Sequence, residues 1–207
     1  ICQLTRDNKI LDECRLRVGF RQLEFNPVSG FLLNGKSLKI KGVCDHHTAG
    51  AVGAAVPDDL LHYRLKLLKD MGCNAIRTSH NPFSPAFYNL CDTMGIMVLN
   101  EGLDGWNQPK AADDYGNYFD EWWQKDMTDF IKRDRNHPSI IMWSIGNEIP
   151  EQWSKEGMEI AKRLQDICHQ YDPSRPVTQG MDKAEDALKS GFAQTMDVPG
   201  FNYRVHK

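Results

Sequence analysis

"SIIMWSIGNE", residues 139–148, reads as a strand that ends in chemistry. Met142 to Gly146 form its body, a short apolar run of the kind carried by a strand buried on both faces. Asn147 and Glu148 then stand side by side at the C-terminal tip. A carboxylate is costly to bury unless it is paired or put to use. The fold must therefore open at this strand tip.

The flanking segments repeat the pattern. "SLKIKGV" (37–43), "NAIRTSH" (74–80), "IMVLNEG" (96–102), "PVTQGMD" (176–182) and "VPGFNY" (198–203) are short β-rich runs. Helical stretches separate them. "DDLLHYRLKLLKDMG" (58–72) spaces Leu60, Leu61, Leu65, Leu68 and Met71 along one face, with Asp58 as N-cap and Gly72 as the stop. "SPAFYNLCDTMG" (84–95) opens on Ser-Pro and closes on Gly95. "YFDEWWQKDMTDFIKRDRNHP" (118–138) runs to Pro138, and "SKEGMEIAKRLQDICHQYDP" (154–173) to Pro173. A short helix falls between the last two strands. Strands alternating with helices of this length predict βαβ units and a parallel sheet.

Polar residues collect at the C-terminal strand ends. The first strand runs into Asp45, His46 and His47, and the second into Arg77, Thr78, Ser79, His80 and Asn81. The third ends on Asn100 and Glu101, followed by Asp104 and Trp106; the fourth ends on Asn147 and Glu148. The fifth ends Gln179-Gly180-Met181-Asp182, and the sixth on Asn202 and Tyr203. A doubly wound sheet binds ligands only at its switch point, whereas a (β/α)8 barrel builds its site from all its strand ends. Decoration of every end favours the barrel. No GxGxxG follows the first strand, which argues against a dinucleotide fold.

Residues 1–35 break the rhythm. "CRLRVGFRQLEFNPVSGFLLNG" alternates apolar and polar residues and turns at Asn34-Gly35, as antiparallel β does. These residues are expected to be the tail of a preceding β-domain or a lead-in hairpin, with residues 36–207 forming the α/β part. The N-terminus has no secretory pattern and no initiating Met, so the chain reads as excised from something longer. Nothing in it fixes a compartment, and any signal peptide would lie upstream.

Composition narrows the function classes. The 207 residues are 41% hydrophobic and 26% charged, with a net charge of −3, which suits a soluble globular protein. A nucleic-acid partner would call for a clustered basic excess, and a membrane span for about 20 apolar residues; neither is present. The six cysteines are scattered without a CxxC pair, and Cys73 and Cys91 sit among apolar residues as small core side chains.

Each polar residue at a strand end has a structural alternative. His46 and His47 can cap a loop, Arg77 can pair with Glu101 or Asp104, and His80 can cap the next helix. Trp122 and Trp123 lie in a helix and suit packing, whereas Trp106 lies in a loop and can stack on a sugar face. The charges of "KRDRNHP" (132–138) fit a solvated helix end. His46, His47 and Glu101 lack a diagnostic metal-ligand spacing.

"NAIRTSHNPFSPAFYNLCDTMGIMVL" (74–99) and "DRNHPSIIMWSIGNE" (134–148) resemble the two signatures of glycoside hydrolase family 2, which includes β-galactosidases, β-glucuronidases and β-mannosidases. "NGKSLKIKGVCDHHTAGAVGAA" (34–55) is similar to the family's barrel entry, and "RVGFRQLEF" to the end of the immunoglobulin-like domain before it. Asn81 stands where many members carry Tyr. The resemblance implies a retaining β-glycosidase acting on a terminal non-reducing β-linked sugar, with a carbohydrate as partner. It makes Glu148 the general acid/base and Asn147 the ligand of the sugar 2-hydroxyl. His80 would bind sugar hydroxyls, Arg77 would orient the nucleophile and Tyr203 would lie beside it; His46, Glu101, Asp104 and Trp106 complete the expected substrate-binding set. No cofactor is required; some relatives hold a magnesium ion near the acid, but its other ligands are not identified here. "GVCDHHTAGAVGAA" is most similar to the β-galactosidase branch, with β-glucuronidase and β-mannosidase as alternatives.

Six strands are counted, so the expected fold is an incomplete (β/α)8 TIM barrel, about six of eight strands, preceded by a short β segment. By resemblance the nucleophilic Glu ends a seventh strand, beyond residue 207. The chain alone is therefore expected to be inactive and to self-associate through its two open strand edges. Two other readings stand beside the β-glycosidase: a sugar-binding piece without turnover, and a different barrel hydrolase that pairs Glu101 with Glu148.

Overall fold

The computed structural model describes residues 1–16 and 18–204. Six parallel strands curl into a half-barrel: β6 (Gly42–His46), β7 (Ala75–Ser79), β8 (Met97–Glu101), β9 (Ile140–Asn147), β10 (Val177–Met181) and β11 (Gly200–Phe201). Each pairs with the strand before it in sequence, so the order across the sheet is the order along the chain. The helices α1 (Asp58–Asp70), α2 (Pro85–Met94), α3 (Phe119–Asp134), α4 (Lys155–Tyr171) and α5 (Ala184–Ser190) connect them.

The alternation of side chains along each strand sorts the core into two layers. Ile76, Val98 and Trp143 join the main core, whose helical members include Leu61, Leu65, Phe87, Met127, Ile131 and Leu164. Ala75, Met97 and Met142 belong to a second cluster with Phe31. Helix ends follow the expected signals with small shifts. Gly95 closes α2 in the left-handed region at φ 70°, where a Cβ would be strained. Pro57, not Asp58, takes the cap position of α1, and Asp58 lies in the first turn. α3 ends at Asp134, with Arg135 as its C-cap, short of Pro138.

The reading of "KRDRNHP" as a solvated end holds for Lys132, Arg133, Arg135 and Asn136, which are exposed, but not for Asp134 and His137. Asp134 is fully buried and accepts Asn100 Nδ2 at 3.0 Å and Arg133 Nε at 2.6 Å. His137 Nδ1 lies 2.7 Å from Asp92 Oδ2, and Asp92 Oδ1 accepts Ser139 N at 2.9 Å. Burial pushes the Asp92 carboxyl up, but the bonds from His137 and Ser139 outweigh it and hold the carboxyl below its ordinary value. Behind this clasp Arg175 donates to the carbonyls of Ile140, Arg135 and His137 and pairs with Asp172, which also accepts Trp143 Nε1 at 2.9 Å. The charges thus fasten α2, α3 and α4 to the start of β9.

Residues 1–35 divide into two pieces. β1 (Cys2–Arg6) and β2 (Lys9–Cys14) form a hairpin across Asp7 and Asn8, at φ 50° and 61°, and every residue of both strands is exposed. β3 (Leu23–Asn26), β4 (Gly30–Leu33) and β5 (Lys36–Ser37) form a second antiparallel sheet that turns at Asn34-Gly35, as expected. Phe31 of that sheet, with Leu23, Phe25 and Leu33, packs on Ala75, Met97 and Ile141, at or next to the N-terminal ends of β7, β8 and β9. The sheet therefore seals the bottom of the half-barrel. Neither β6 nor β11 has a second neighbour among the described residues.

Candidate active site

The sealed bottom leaves the C-terminal strand ends as the exposed face, and five strands deliver polar groups to it. Arg77 is the hub. Its Nε and Nη2 donate to Glu101 Oε2 at 2.9 and 2.7 Å, Nη2 also to Asn147 Oδ1 at 2.8 Å, and Nη1 to Asn202 Oδ1 at 3.4 Å. Burial alone would push the guanidinium down, but the Glu101 carboxylate outweighs it and holds the pKa above its ordinary value. Gly180 makes room for this hub, since a Cβ there would lie 2.5 Å from Arg77 Nη2.

Glu101 is fully buried. Its Oε1 lies 2.6 Å from His80 Nδ1, and its Oε2 accepts Arg77 and Ser144 Oγ, the latter at 2.5 Å. It orients Arg77 and His80. The His80 ring stands edge-to-face with that of His46, the ring centroids 5.5 Å apart. The exposed His46 and the partly exposed His80 thus form one edge of the site. His47 turns away, its ring 4.9 Å from Phe83.

Asn147 and Glu148 lie opposite. Asn147 Oδ1 accepts Arg77 and Asn202 Nδ2, the latter at 3.0 Å, while its Nδ2 donates to Asp104 Oδ1 at 3.1 Å. Glu148 follows with φ 45°, in the left-handed region that costs a non-glycine residue about 1–3 kcal/mol. Its N–H donates to Gly180 O at 2.7 Å, and its Oε1 accepts Asn202 Nδ2 at 2.8 Å. The sharp turn takes the carboxyl off the line of the strand and leaves it half-buried. The Tyr203 hydroxyl hydrogen-bonds the same carboxylate, which pushes the phenol pKa up.

The structure thus brings together Arg77, His80, His46, Glu101, Asp104, Asn147, Glu148 and Tyr203. Trp106 does not join them. It is fully buried, donates Nε1 to Ile145 O at 2.8 Å and packs 6.1 Å from the Phe192 ring. Gly146 permits this, because a Cβ there would sit 3.1 Å from the indole nitrogen. A ring enclosed in this way offers no face to a sugar.

Ser144 and Lys110 are not singled out from the sequence, and Asn202 reads there as the polar end of the sixth strand without a role in the site. Asn202 touches both Asn147 and Glu148, Ser144 touches Glu101, and Lys110 reaches the tip of β9 from the loop after β8. Ser144 could have been found, since the alternation of β9 puts it on the same face as Met142, opposite Trp143. Lys110 gives no local signal. Among the described residues, no group of three His, Cys, Asp or Glu side chains is placed to hold a metal ion, and no helix is long and apolar enough to cross a membrane.

The chain matches the model of the glycosyl hydrolases family 2 TIM barrel domain over residues 27–198. It is 40% identical to a β-galactosidase of Bacteroides ovatus, with 98% of this chain and 28% of that protein aligned. It is 43% identical to a putative β-glucuronidase of Formosa agariphila, with 97% of this chain and 18% of that protein aligned. Among solved structures, a β-glycosidase from Bacteroides vulgatus is 77% identical with a TM-score of 0.83, covering 93% of this chain and 26% of that one. A family 2 member from Bacteroides cellulosilyticus reaches a TM-score of 0.93 at 42% identity, over 98% of this chain and 26% of that one. The chain therefore spans roughly a quarter or less of the curated relatives first compared, at 28% and 18% of their lengths.

Proposed function

The chain belongs to glycosyl hydrolases family 2, and from that premise we propose that it forms part of a retaining β-glycosidase, with Glu148 as the general acid/base and a terminal β-galactoside as substrate. The observation that carries this reading is the presentation of Glu148. The strand buries its body, turns through a left-handed residue and offers one half-buried carboxyl beside a hydrogen-bonding amide. In a double displacement that carboxyl gives its proton to the glycosidic oxygen, then takes one from the attacking water.

A retaining enzyme needs a second carboxylate about 5–5.5 Å from the first, free to attack the anomeric carbon. Glu101 is unsuited, because it is fully buried and both its oxygens are engaged by Arg77, His80 and Ser144. This disfavours a hydrolase that pairs Glu101 with Glu148. The nucleophile is instead assigned to residues outside those described. The chain alone would then bind sugar without turnover.

Relatives of both names support a second reading, a β-glucuronidase, at 43% identity against 40% for the galactosidase. Turnover of matched nitrophenyl β-galactoside and β-glucuronide by the intact enzyme separates the two. Glu148→Gln tests the chemistry. It should cut turnover of alkyl glycosides by about 100-fold or more, with a smaller loss on substrates whose leaving group needs no proton. Equal, small losses on both classes would refute the assignment of Glu148.

A further inference from the structure

Three oxygens converge on one ammonium at the shoulder of the Asn147–Glu148 tip. Lys110 Nζ donates to Asp104 O and Oδ1, both at 2.9 Å, and to Asn147 O at 2.5 Å. An ammonium has three N–H bonds, and all three are used. The loop that delivers the lysine is braced. Asp114 Oδ2 accepts Lys110 N at 3.1 Å, Asp114 Oδ1 accepts Gly116 N at 2.8 Å, and the buried Glu151 accepts Gln108 N at 2.8 Å.

The carbonyl of Asn147 and the N–H of Glu148 belong to one peptide group. Lys110 holds its oxygen, and Gly180 O holds its N–H at 2.7 Å. The peptide is pinned at both ends, by a cation from the loop and by a carbonyl from β10. Its plane sets the direction in which the Glu148 carboxyl leaves the strand.

We propose that Lys110 is a positioning residue: its ammonium is the resident cation beside the acid, locking the Asn147–Glu148 peptide and leaving no place there for a divalent ion. The inference rests on Glu148 as the proton donor. Two oxygens beside the Asn147–Glu148 tip, Asp104 Oδ1 and the Asn147 carbonyl, already face Nζ. Magnesium takes an octahedron of oxygens with carboxylates among them, and no such convergence exists among the described residues. The loss of the ammonium would let the peptide rock and move the carboxyl. Proton delivery would suffer before sugar binding.

The test uses the intact enzyme and glycosides with graded leaving groups. Lys110→Met and Lys110→Arg are compared with Glu148→Gln, and the unaltered enzyme is assayed with EDTA and with added magnesium. Lys110→Met is expected to lower kcat on the order of 100-fold for poor leaving groups and less for nitrophenyl glycosides, with KM little changed. Lys110→Arg should restore part of the loss, and the unaltered enzyme should be indifferent to EDTA and magnesium. A Lys110→Met enzyme as active as its parent while Glu148→Gln is impaired would overturn the role of Lys110 and leave the proton donor standing. A loss that is equal across all leaving groups would also overturn it. An unimpaired Glu148→Gln would overturn both readings. If Lys110→Met fails to fold, the chelation arm decides: activity lost to EDTA and restored by magnesium overturns the proposal, and indifference supports it.

Discussion

Arg77 Nη2 donates to Asn147 Oδ1 at 2.8 Å, and that one bond fixes which way the amide faces. Asn202 takes the second lone pair of the oxygen, so Oδ1 is saturated. Asp104 takes one of the two N–H bonds of Nδ2. One N–H remains, and it is the group that Asn147 has to offer a sugar hydroxyl. Asn147→Ala is therefore expected to lower kcat by about 10- to 100-fold with KM little changed, because a donor to the 2-hydroxyl matters most as charge develops on the ring. Steady-state kinetics on the intact enzyme check this; a rise in KM at constant kcat would contradict it.

Gly180→Ala should damage the same network from behind. The added methyl would meet Arg77 Nη2 at 2.5 Å and Asn202 Oδ1 at 3.0 Å. The guanidinium must shift, and Asn147 with it. We expect a loss of activity on the order of 100-fold from a change that touches no substrate. Kinetics, with circular dichroism to show that the fold persists, give the answer.

Glu101→Gln leaves Arg77 without its anionic partner in a buried position. Breaking such a pair by removing one charge costs about 3–5 kcal/mol. Chemical denaturation should show a destabilisation of that order together with loss of activity. A stable variant would mean that Arg77 finds its charge balance elsewhere.

The clasp between Asp92 and His137 should show in acid. The Asp92 carboxyl is held below its ordinary value in the folded chain. Its contribution to stability is therefore complete above the unfolded carboxylate pKa, about 3.9, and is lost as pH falls through the lower folded value. Asp92→Asn should be less stable than its parent at pH 6, and the two should converge as the pH falls below about 4. Denaturation curves across that range test the sign. A difference that grows on acidification would refute it.

The chain of residues 1–207 taken alone should self-associate. β6 and β11 each leave one edge unpaired among the described residues, and unpaired edges template further pairing. Sedimentation velocity at increasing concentration should show species larger than the monomer. A single monomeric boundary throughout would refute the expectation.

Much of the fold was legible because it is local. The strand bodies and the helices that connect them announce themselves by periodicity, and Gly95 ends its helix for a reason written in one residue. The tip of β9 was equally plain, since Asn147 and Glu148 interrupt an apolar run. Apart from the one-residue shift of the α1 cap, the misreadings concern partners far away in sequence. Trp106 lies in a loop, where aromatic residues often serve ligands, but its indole is claimed by the Ile145 carbonyl 39 residues on. Asp134 belongs to a run that looks solvated until Asn100 meets it from β8. Lys110 resembles any loop lysine, and only the folded chain puts Asp104 and Asn147 around it. The β3–β5 sheet was recognised as antiparallel, but its place under the barrel depends on Phe31 meeting residues of β7, β8 and β9.

The sequential order of the six strands has a consequence for how the site comes into being. Each strand pairs with the one made just before it, so the sheet can grow as the chain leaves the ribosome, without waiting for distant segments. Phe31 is synthesised first, and the three strands it packs against arrive one after another to cover it. Asn202, which anchors both Asn147 and Glu148, is made after both of them, with β10 in between. A ribosome-bound chain that stops before β11 would carry its acid without that support. Within these strands the acid is therefore made first, and the amide that anchors it follows 54 residues later.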